Sequence, residues 1–341
     1  MNTKMERNYK SYFVESRFIS IVISIVVIVF RLLLFLRKGL PDFQIKDTGF
    51  IWSRIEPHFI HNPVLSVLLS TIFIFIVSYL ISELNIRYGV IRRRTSMPFY
   101  LPLIFFSVHP FYLKMTPDFI ALIFILWSLF PLLASYQYHR SHKFAFQFGV
   151  LITIAGVFQI YALLLLPMWL IGLSTLNGLS FRSFLATLFG VLMVFWIIFA
   201  LYVFGDNIIG FIIPFMHFIN IYDFTQALNF SVPQWGFIVM ITLFIVVLFI
   251  TDSMQIARDR SFTKKTLFFC IFVIIVAFLL QILYFTQTLF WFYVVLPFLA
   301  IVVAHYYTNT TSKTDIVLFY LLLTSLGCYY GLNLFTDLSP F

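Results

Sequence analysis

The sequence has few charged side chains and almost no cysteine. Of its 341 residues 10% are charged, whereas a soluble domain usually carries about 25%. Its two cysteines, Cys270 and Cys328, lie inside apolar runs, so neither a disulfide framework nor a thiolate metal site is indicated. Phosphate-binding loops, dinucleotide turns, zinc-peptidase helices and serine-hydrolase elbows do not occur. Nucleotide hydrolysis, zinc peptidase and serine hydrolase chemistry therefore have no motif in this chain.

Hydrophobic residues dominate the composition. They make up 62% of the chain, and the mean hydropathy is +1.00. A globular fold would need one very large core with almost nothing to cover it, while a helical bundle can present apolar side chains to lipid. We therefore expect an all-α fold, a polytopic transmembrane helix bundle.

Apolar segments recur along the whole chain, separated by charged or turn-forming breaks. A bilayer core of roughly 30 Å takes about 20 apolar residues per helix. This criterion predicts about eleven transmembrane helices, within a range of about ten to twelve. The predicted spans are 17–36, 63–82, 98–113, 118–136, 144–159, 161–176, 183–204, 233–251, 266–284, 288–305 and 315–335. The pair 144–176 could instead form a re-entrant hairpin.

The Lys and Arg residues predict the orientation of the bundle. Sixteen of the 22 fall in the loops on the N-terminal side, five fall in the opposite loops, and Arg31 lies within the first span. Because cytoplasmic loops carry the excess of Lys and Arg, we expect an inner-membrane protein with a cytoplasmic N-terminus and a periplasmic C-terminus. The same pattern explains the net charge of +9 without a nucleic-acid partner.

The chain is predicted to be a single integral membrane domain, 1–341, with a cytoplasmic N-terminus at 1–16. Its two longest loops, 37–62 and 205–234, are semi-apolar and fall on the periplasmic side. The first carries an apolar stripe at helical spacing from Phe50 to Phe59, and the second carries a similar stripe within 208–228. Each predicts a short helix that lies parallel to the membrane.

Carboxylates and imidazoles collect on the predicted periplasmic side, where they have the chemistry for acid/base catalysis or for binding a divalent cation. No cofactor motif is evident, and the metal, if one binds, is not specified. The candidate catalytic residues are Asp47, Glu56 and Asp42, as alternative bases, with His58 and His109. The candidate substrate-binding residues are Arg31, Lys114, Asp118 and His217.

Structural roles compete with these functional ones. Asp47 and Asp206 each precede a predicted surface helix and could cap it. In Thr116-Pro117-Asp118 the Thr would cap the helix, the Pro would be its first residue and the Asp would favour its dipole. His109 could bond a backbone carbonyl. Arg31 could extend to the interface, pair with a carboxylate or, if it faces the bundle, bind a lipid phosphate.

One resemblance covers most of the chain and is carried by six short segments. They are Arg92-Arg93-Arg94-Thr95, Pro98-Phe99-Tyr100, Ser107-Val108-His109-Pro110, Thr116-Pro117-Asp118, Leu166-Pro167-Met168-Trp169-Leu170 and Phe181-Arg182-Ser183-Phe184. These segments resemble a family of polytopic inner-membrane proteins from Bacteroidota. The resemblance implies topology and compartment only, because no activity can be inferred for this chain from that family.

A looser resemblance concerns architecture. A first helix, an acidic outer loop with a membrane-parallel helix, many further helices and a second outer amphipathic segment are similar to the lipid-linked sugar transferases of the GT-C type. This resemblance implies a polyprenyl-phosphate sugar donor and a base at Asp42, Asp47 or Glu56. The chain lacks the paired Asp-Glu motif of better-known members, and its loops are short.

Two other function classes remain open at this point. One is a non-catalytic subunit or assembly factor of a larger membrane complex, which would have fixed protein partners. The other is a lipid or oligosaccharide flippase, which the apolar helix interiors do not favour. Membrane lipids, among them polyprenyl phosphate for the transferase hypothesis, are the expected partners in each case.

Overall fold

The computed structural model describes most of the chain and shows an all-helical protein. The described residues are 4–41, 43, 45, 48–136, 141–176, 178–219, 235–236, 239–240, 242–246, 255–256, 259–310 and 312–335. Helix accounts for 85% of the structure, and no strand occurs among these residues. The predicted fold class is confirmed to this extent.

Thirteen α-helices have bounds within the described residues. The α-helices are α1 Lys4–Tyr9, α2 Arg17–Lys38, α3 Trp52–His61, α4 Pro63–Tyr88, α5 Met97–Phe105, α6 Pro117–Ala134, α7 His142–Phe158, α8 Leu166–Thr175, α9 Phe181–Phe204, α10 Ile208–Met216, α11 Ser261–Leu283, α12 Thr288–Asn309 and α13 Lys313–Phe335. A π-helical segment covers Lys10–Val14, and 3-10 segments cover Pro110–Leu113, Ile160–Leu165, His217–Ile219 and Phe285–Gln287.

Seven helices among the described residues are long and apolar enough to cross a membrane: α2, α4, α6, α9, α11, α12 with its preceding 3-10 turn, and α13. Each coincides with a predicted span, and the set is compatible with a multi-pass membrane protein. In α12 the most apolar stretch is 94% buried inside the molecule, against 17% in α2 and 22% in α9. Helix α12 is therefore the centre of the bundle, and α2 and α9 lie at its periphery.

The remaining predicted spans behave differently. Predicted spans 98–113, 144–159 and 161–176 fall on shorter helices, and 233–251 lies largely outside the described residues. The α-helix predicted for 98–113 is wrong in its second half, because α5 ends at Phe105. Pro110 restricts the residue before it, and His109 is accordingly extended, with φ −112° and ψ 135°. The rest of this segment runs as irregular backbone and one 3-10 turn.

The pair 144–176 folds as α7, a break at Gln159 and a return through Ile160–Leu165 and α8. Gln159 is extended, with φ −135° and ψ 106°, which ends α7. At the usual rise per residue, α7 is about 25 Å long and the returning segment about 27 Å. Both lengths approach the roughly 30 Å of a bilayer core, so each arm is long enough to cross most of it.

Helix is present over the first predicted surface stripe and over 208–219 of the second, whose residues 220–228 lie outside the described ones. The orientation of both to a membrane stays a prediction. Helix α3 begins at Trp52 with Ile51 at its N-cap, and the rings of Trp52 and Phe59 stack with their centroids 5.6 Å apart. Helix α10 covers the start of the second loop. The cap predicted at Asp206 is wrong, because the side chain of Asn207 accepts the Gly210 N–H instead.

The loop before α3 docks onto the end of α7. The Gly49 N–H donates to the Phe158 carbonyl and the Phe50 N–H donates to the Val157 carbonyl, at 2.9 and 2.7 Å. A Cβ on Gly49 would lie 2.2 Å from the Val157 carbonyl oxygen, so only glycine permits this approach. The contact fixes the loop before α3 at the end of α7.

Candidate functional site

A buried polar cluster forms where three helix ends meet, and we call it the three-helix junction: Asp118, Gln159 and Gln287. The Gln159 side-chain amide donates to Asp118 Oδ1 at 2.8 Å and to Gln287 Oε1 at 3.3 Å. These residues belong to the first turn of α6, the break after α7 and the turn before α12. Their side chains are between 1% and 6% exposed, so bulk water does not reach them in this state.

Local sequence explains why Asp118 lies at this junction. Pro117 is the first residue of α6, and Thr116 before it is extended, as a residue preceding proline must be. The predicted positions of Thr116 and Pro117 are confirmed, but the Thr116 side chain makes no capping bond to the backbone. Asp118 lies in the first turn, where the helix dipole favours a negative charge.

The junction continues toward the centre of the bundle through Tyr293. The ring centroid of Tyr293 lies 4.6 Å from that of Phe119, the residue after Asp118, and 5.0 Å from that of Tyr112. Tyr293, which is 0% exposed on α12, is within electrostatic reach of Arg31 as well. The Tyr293 phenol therefore lies between Arg31 on α2 and Asp118 on α6.

Arg31 faces the inside of the bundle and is 1% exposed. Its Nε donates to Thr71 Oγ1 at 2.8 Å, and its Nη2 donates to Ser70 Oγ at 2.6 Å and to the Tyr112 carbonyl at 2.9 Å. Its Nη1 makes a longer contact of 3.4 Å with the Phe106 carbonyl. The expectations that Arg31 extends to the interface or pairs with a carboxylate are therefore wrong.

These contacts explain how the interrupted segment after α5 can be buried. Backbone carbonyls released from a helix inside a membrane need partners within the protein, because hydrocarbon offers none. Arg31 supplies donors to Phe106 and Tyr112, and Ser70 Oγ donates to the Leu113 carbonyl at 2.7 Å. In this state the guanidinium stabilises the break in the segment.

His109 is packed inside the same segment and is 3% exposed. Its Nδ1 accepts the Phe111 N–H at 3.2 Å, which assigns the ring proton of a neutral imidazole to Nε2. The ring centroid lies 4.3 Å from that of Phe111 and 6.0 Å from that of Tyr329 on α13. The structural alternative for His109 was a bond to a backbone carbonyl. The Nδ1 atom instead accepts a backbone N–H, that of Phe111.

Glu56 and Lys114 form the part of the candidate site nearest to the surface, the Glu56–Lys114 pair. Glu56 is half-buried on α3, and burial raises the pKa of its carboxyl while the charge of Lys114 lowers it. Lys114 Nζ donates to the Phe43 carbonyl at 2.6 Å and lies 4.6 Å from the centroid of the Phe43 ring. The loop before α3 thus contacts Lys114, whose charge is within electrostatic reach of the Glu56 carboxyl.

Two of the other predicted residues are described by the structure, His58 and His217. The His58 side chain is exposed on α3, and His217 follows α10, where its carbonyl accepts the Tyr161 hydroxyl at 3.2 Å. Asp42 and Asp47 lie outside the described residues. Within the described ranges, no three His, Cys, Asp or Glu side chains are grouped so that they could hold a metal ion.

Sequence reasoning missed Gln159, Gln287 and the hydroxyls of α4. Gln159 is a single polar residue between two apolar runs, and the break between these runs is too short for an ordinary loop. Ser66 and Ser70 are four residues apart, so they share one helix face, and Ser66 Oγ accepts the Met115 N–H at 2.8 Å. A search for polar uncharged residues at span breaks and at i, i+4 spacing would have found them.

The candidate site thus consists of a half-buried carboxyl and a lysine near the surface and of a buried polar junction whose Asp118 follows Lys114 by four residues, groups that could bind an anionic group and move a proton. Comparison of the chain with models of known protein families, with curated proteins and with solved structures finds no match.

Proposed function

We propose that the chain is a multi-pass inner-membrane transferase that uses a polyprenyl-phosphate-linked sugar donor at the periplasmic face. The observation that carries this proposal is the placement of Glu56 and Lys114 at one end of the bundle, a half-buried carboxyl on α3 and a lysine whose Nζ donates to the Phe43 carbonyl in the loop before α3. The proposal includes the orientation predicted by the basic loops, with the N-terminus in the cytoplasm and the C-terminus in the periplasm.

In the proposed reaction Glu56 is the base. Its carboxylate accepts the proton of an acceptor hydroxyl, whose oxygen bonds to the anomeric carbon of the sugar. The bond from that carbon to the phosphate oxygen breaks, and polyprenyl phosphate leaves with the electron pair. A raised carboxyl pKa suits this role, because a general base is most effective when its pKa approaches the operating pH.

Lys114 is proposed to bind the phosphate of the donor. Its ammonium is a compact positive charge with three donors, as suits a phosphate ligand. The junction residue Asp118 follows four residues later, directly inside the bundle. A phosphate held by Lys114 would therefore lie between the loop before α3 and the first turn of α6.

The remaining candidates take supporting roles in the same proposal. Asp42 and Asp47 belong to the same loop as Phe43 and are alternative bases. His58 and His109 remain candidates for proton transfer, and Arg31 and His217 for contacts to substrate. No cofactor is required by the reaction as written, and a divalent cation would be an additional ligand of the donor phosphate.

The test measures polyprenyl phosphate released by the full-length protein in nanodiscs, supplied with polyprenyl-phosphate hexoses and pentoses and with a mixture of periplasmic acceptors. We expect Glu56→Gln to lower the rate at least about 100-fold, the usual contribution of a general base. Lys114→Met should raise KM more than it lowers kcat. The control is Glu83→Gln, on the far half of α4, which should leave the rate unchanged.

Activity that survives in Glu56→Gln, Asp42→Asn and Asp47→Asn alike would overturn the transferase proposal. Loss of activity in Asp42→Asn or Asp47→Asn alone would instead move the base to that residue. Protein level and elution profile are compared for every variant, because a misfolded membrane protein also loses activity.

A second candidate function is a non-catalytic subunit of a larger membrane complex. It is favoured by the observation that Arg31, Asp118 and Gln159 are bonded to groups of the same chain, as expected for residues that only stabilise the fold. This proposal predicts that fixed protein partners co-purify in mild detergent at constant stoichiometry. It also predicts that Glu56→Gln complements loss of the chain fully in cells.

A further inference from the structure

A lateral groove of about 400 Å³ lies at the opposite end of the bundle from α3. It is formed by the last turn of α4, the last two turns of α6 and the first turns of α7. The residues used below are Arg87, Trp127, Phe130, Ala134, Gln147 and Val150. Its volume falls within the range of small-molecule sites.

The groove is apolar along one arm and polar at the helix ends. Trp127 and Phe130 on α6 and Val150 on α7 line the apolar arm, and Trp127 is 52% exposed on the side of the bundle. Arg87, one residue before the end of α4, and Gln147 are exposed at the polar end. A ligand that fills both parts must be amphipathic.

This position in the fold is that of a membrane interface. Helices α4 and α6 are both candidate spans, and both end at the groove. The apolar arm therefore runs from the helix ends toward the hydrocarbon, and Arg87 lies at the level of lipid headgroups. Phospholipid is the amphipathic molecule that is always present at this depth.

The charge of the groove selects among phospholipids. Arg87 is the cation that lines it, and its guanidinium carbon lies 5.8 Å from the centroid of the Tyr88 ring. None of the described residues that line the groove is acidic, and Glu83, one turn earlier on α4, does not line it. His142 and Lys143 in the first turn of α7 are exposed at the same helix ends. A headgroup of net negative charge is therefore favoured.

A proline and one hydrogen bond shape the wall of the groove between α4 and α6. Pro131 lies inside α6 and has no N–H, so it cannot donate to the carbonyl of Trp127 four residues earlier. The Tyr88 hydroxyl donates to the neighbouring Phe130 carbonyl at 2.8 Å, which closes the groove between α4 and α6.

We propose that this groove binds one anionic phospholipid of the phosphatidylglycerol type, with its phosphate at Arg87 and one acyl chain along Trp127, Phe130 and Val150. The site is distinct from the Glu56–Lys114 pair and does not depend on the transferase proposal. It would hold a structural lipid between α4, α6 and α7. These helices also carry Ser66 and Ser70, Asp118 and, at the end of α7, Gln159.

The test is native mass spectrometry of the full-length protein in detergent, with phosphatidylglycerol and phosphatidylcholine of identical acyl chains added in turn. We expect one phosphatidylglycerol to be retained in preference to phosphatidylcholine. Arg87→Gln should reduce this preference about fivefold, the worth of one basic side chain near the membrane surface. The matched control is Arg182→Gln, an exposed arginine in the first turn of α9, which should leave the preference unchanged.

A second variant tests the apolar arm. Ala134→Phe fills the groove and should abolish retention of the selective lipid, whereas Ala200→Phe on α9 should not. Tryptophan fluorescence provides an independent measurement. The contribution of Trp127 is the part of the fluorescence that is absent in Trp127→Phe. Brominated phosphatidylglycerol should quench this contribution at a lower mole fraction than brominated phosphatidylcholine does.

Three results would overturn the proposal: equal retention of the two lipids by the unmodified protein, an equal loss in Arg182→Gln, or unchanged retention in Ala134→Phe. Dimers that dissociate in Ala134→Phe would show instead that a second copy occupies the groove. Elution profile and thermal unfolding are recorded for each variant so that loss of folding is recognised.

Discussion

The Gln159 amide donates to the Asp118 carboxyl across 2.8 Å, and this bond joins the end of α7 to the first turn of α6. Both side chains are almost completely buried. The same amide reaches Gln287, so one glutamine links three segments that are far apart in sequence. The bond gives the junction its position and can be tested by itself.

We expect Gln159→Leu to lower the free energy of unfolding by about 1.5–3 kcal/mol, because it removes a hydrogen bond to a buried carboxyl. The Gln159→Leu, Asp118→Leu double variant should be less destabilised than the sum of the two single variants. Unfolding in mixed detergent micelles measures this, with the exposed Gln147→Leu as control. Additive effects would show that the bond does not couple the two residues.

Arg31→Met should destabilise the protein by about 3 kcal/mol or more, since it leaves carbonyls of the interrupted segment without donors in an apolar surrounding. Hydrogen exchange should rise at Phe106–Met115 before other buried segments. Arg31→Lys should recover only part of the loss, because one ammonium cannot reproduce the planar fork of the guanidinium. Arg17→Met, an exposed position on the same helix, should behave like the unmodified protein, and equal damage there would contradict the role of Arg31.

Gly49→Ala should weaken the contact between the loop before α3 and α7. The added Cβ would overlap the Val157 carbonyl oxygen, so the loop must move away and the two backbone bonds must lengthen. We expect lower thermal stability and faster proteolysis of the loop. The control is Gly331→Ala inside α13, where nothing lies within 4 Å and helix propensity predicts a gain of up to about 1 kcal/mol.

The carboxyl pKa of Glu56 should respond to Lys114. Burial raises this pKa and Lys114 lowers it, so Lys114→Met should raise it further. The chain has four glutamates, Glu6, Glu15, Glu56 and Glu83, so a titration of ¹³C-carboxyl glutamate by NMR can resolve them, with Glu56→Gln for assignment. An unchanged titration of Glu56 in Lys114→Met would contradict the Glu56–Lys114 pair.

The raised pKa of Glu56 also determines how the stability of the protein changes with pH. The folded protein holds this proton to higher pH than the unfolded chain does, so stability from Glu56 is present at low pH and is lost as pH rises through the folded pKa. Glu56→Gln should therefore flatten the fall in stability with rising pH. A steeper fall in that variant would reverse the assigned direction.

The predicted orientation can be measured with single cysteines in a background without Cys270 and Cys328. His61→Cys on α3 should react with a membrane-impermeant maleimide in intact cells, while Arg93→Cys should react only after lysis. Both positions are exposed. The opposite pattern would place α3 in the cytoplasm and remove the basis for a periplasmic transferase.

Much of the helical organisation could be predicted from sequence, and one segment shows the limit. The spans beginning at 17, 63 and 183 lie within α2, α4 and α9, because continuous apolar runs of this length are best satisfied by helices. The 98–113 segment is equally apolar, but Pro110 and the donors of Arg31 permit irregular backbone there. A hydropathy pattern does not show which hydrogen-bond donors other helices supply to the backbone.

The candidate site was less predictable than the helices. Glu56 and Lys114 were both chosen for their charge and predicted side, and the structure brings them within electrostatic reach of each other. Arg31 and His109 were chosen for ionisable side chains within apolar segments, and the structure gives both of them internal partners. Gln159 and Gln287 carry no charge, so a search for ionisable residues passes over them.

By itself the sequence determined where apolar helices form and how their basic loops are distributed, because both are properties of short continuous segments. Only the tertiary structure decided that Arg31 faces inward and that Asp118, Gln159 and Gln287 meet. These partners are 41 and 128 residues apart along the chain. Their contacts arise from the packing of α6, α7 and α12 around one another, and no local pattern of residues encodes that packing.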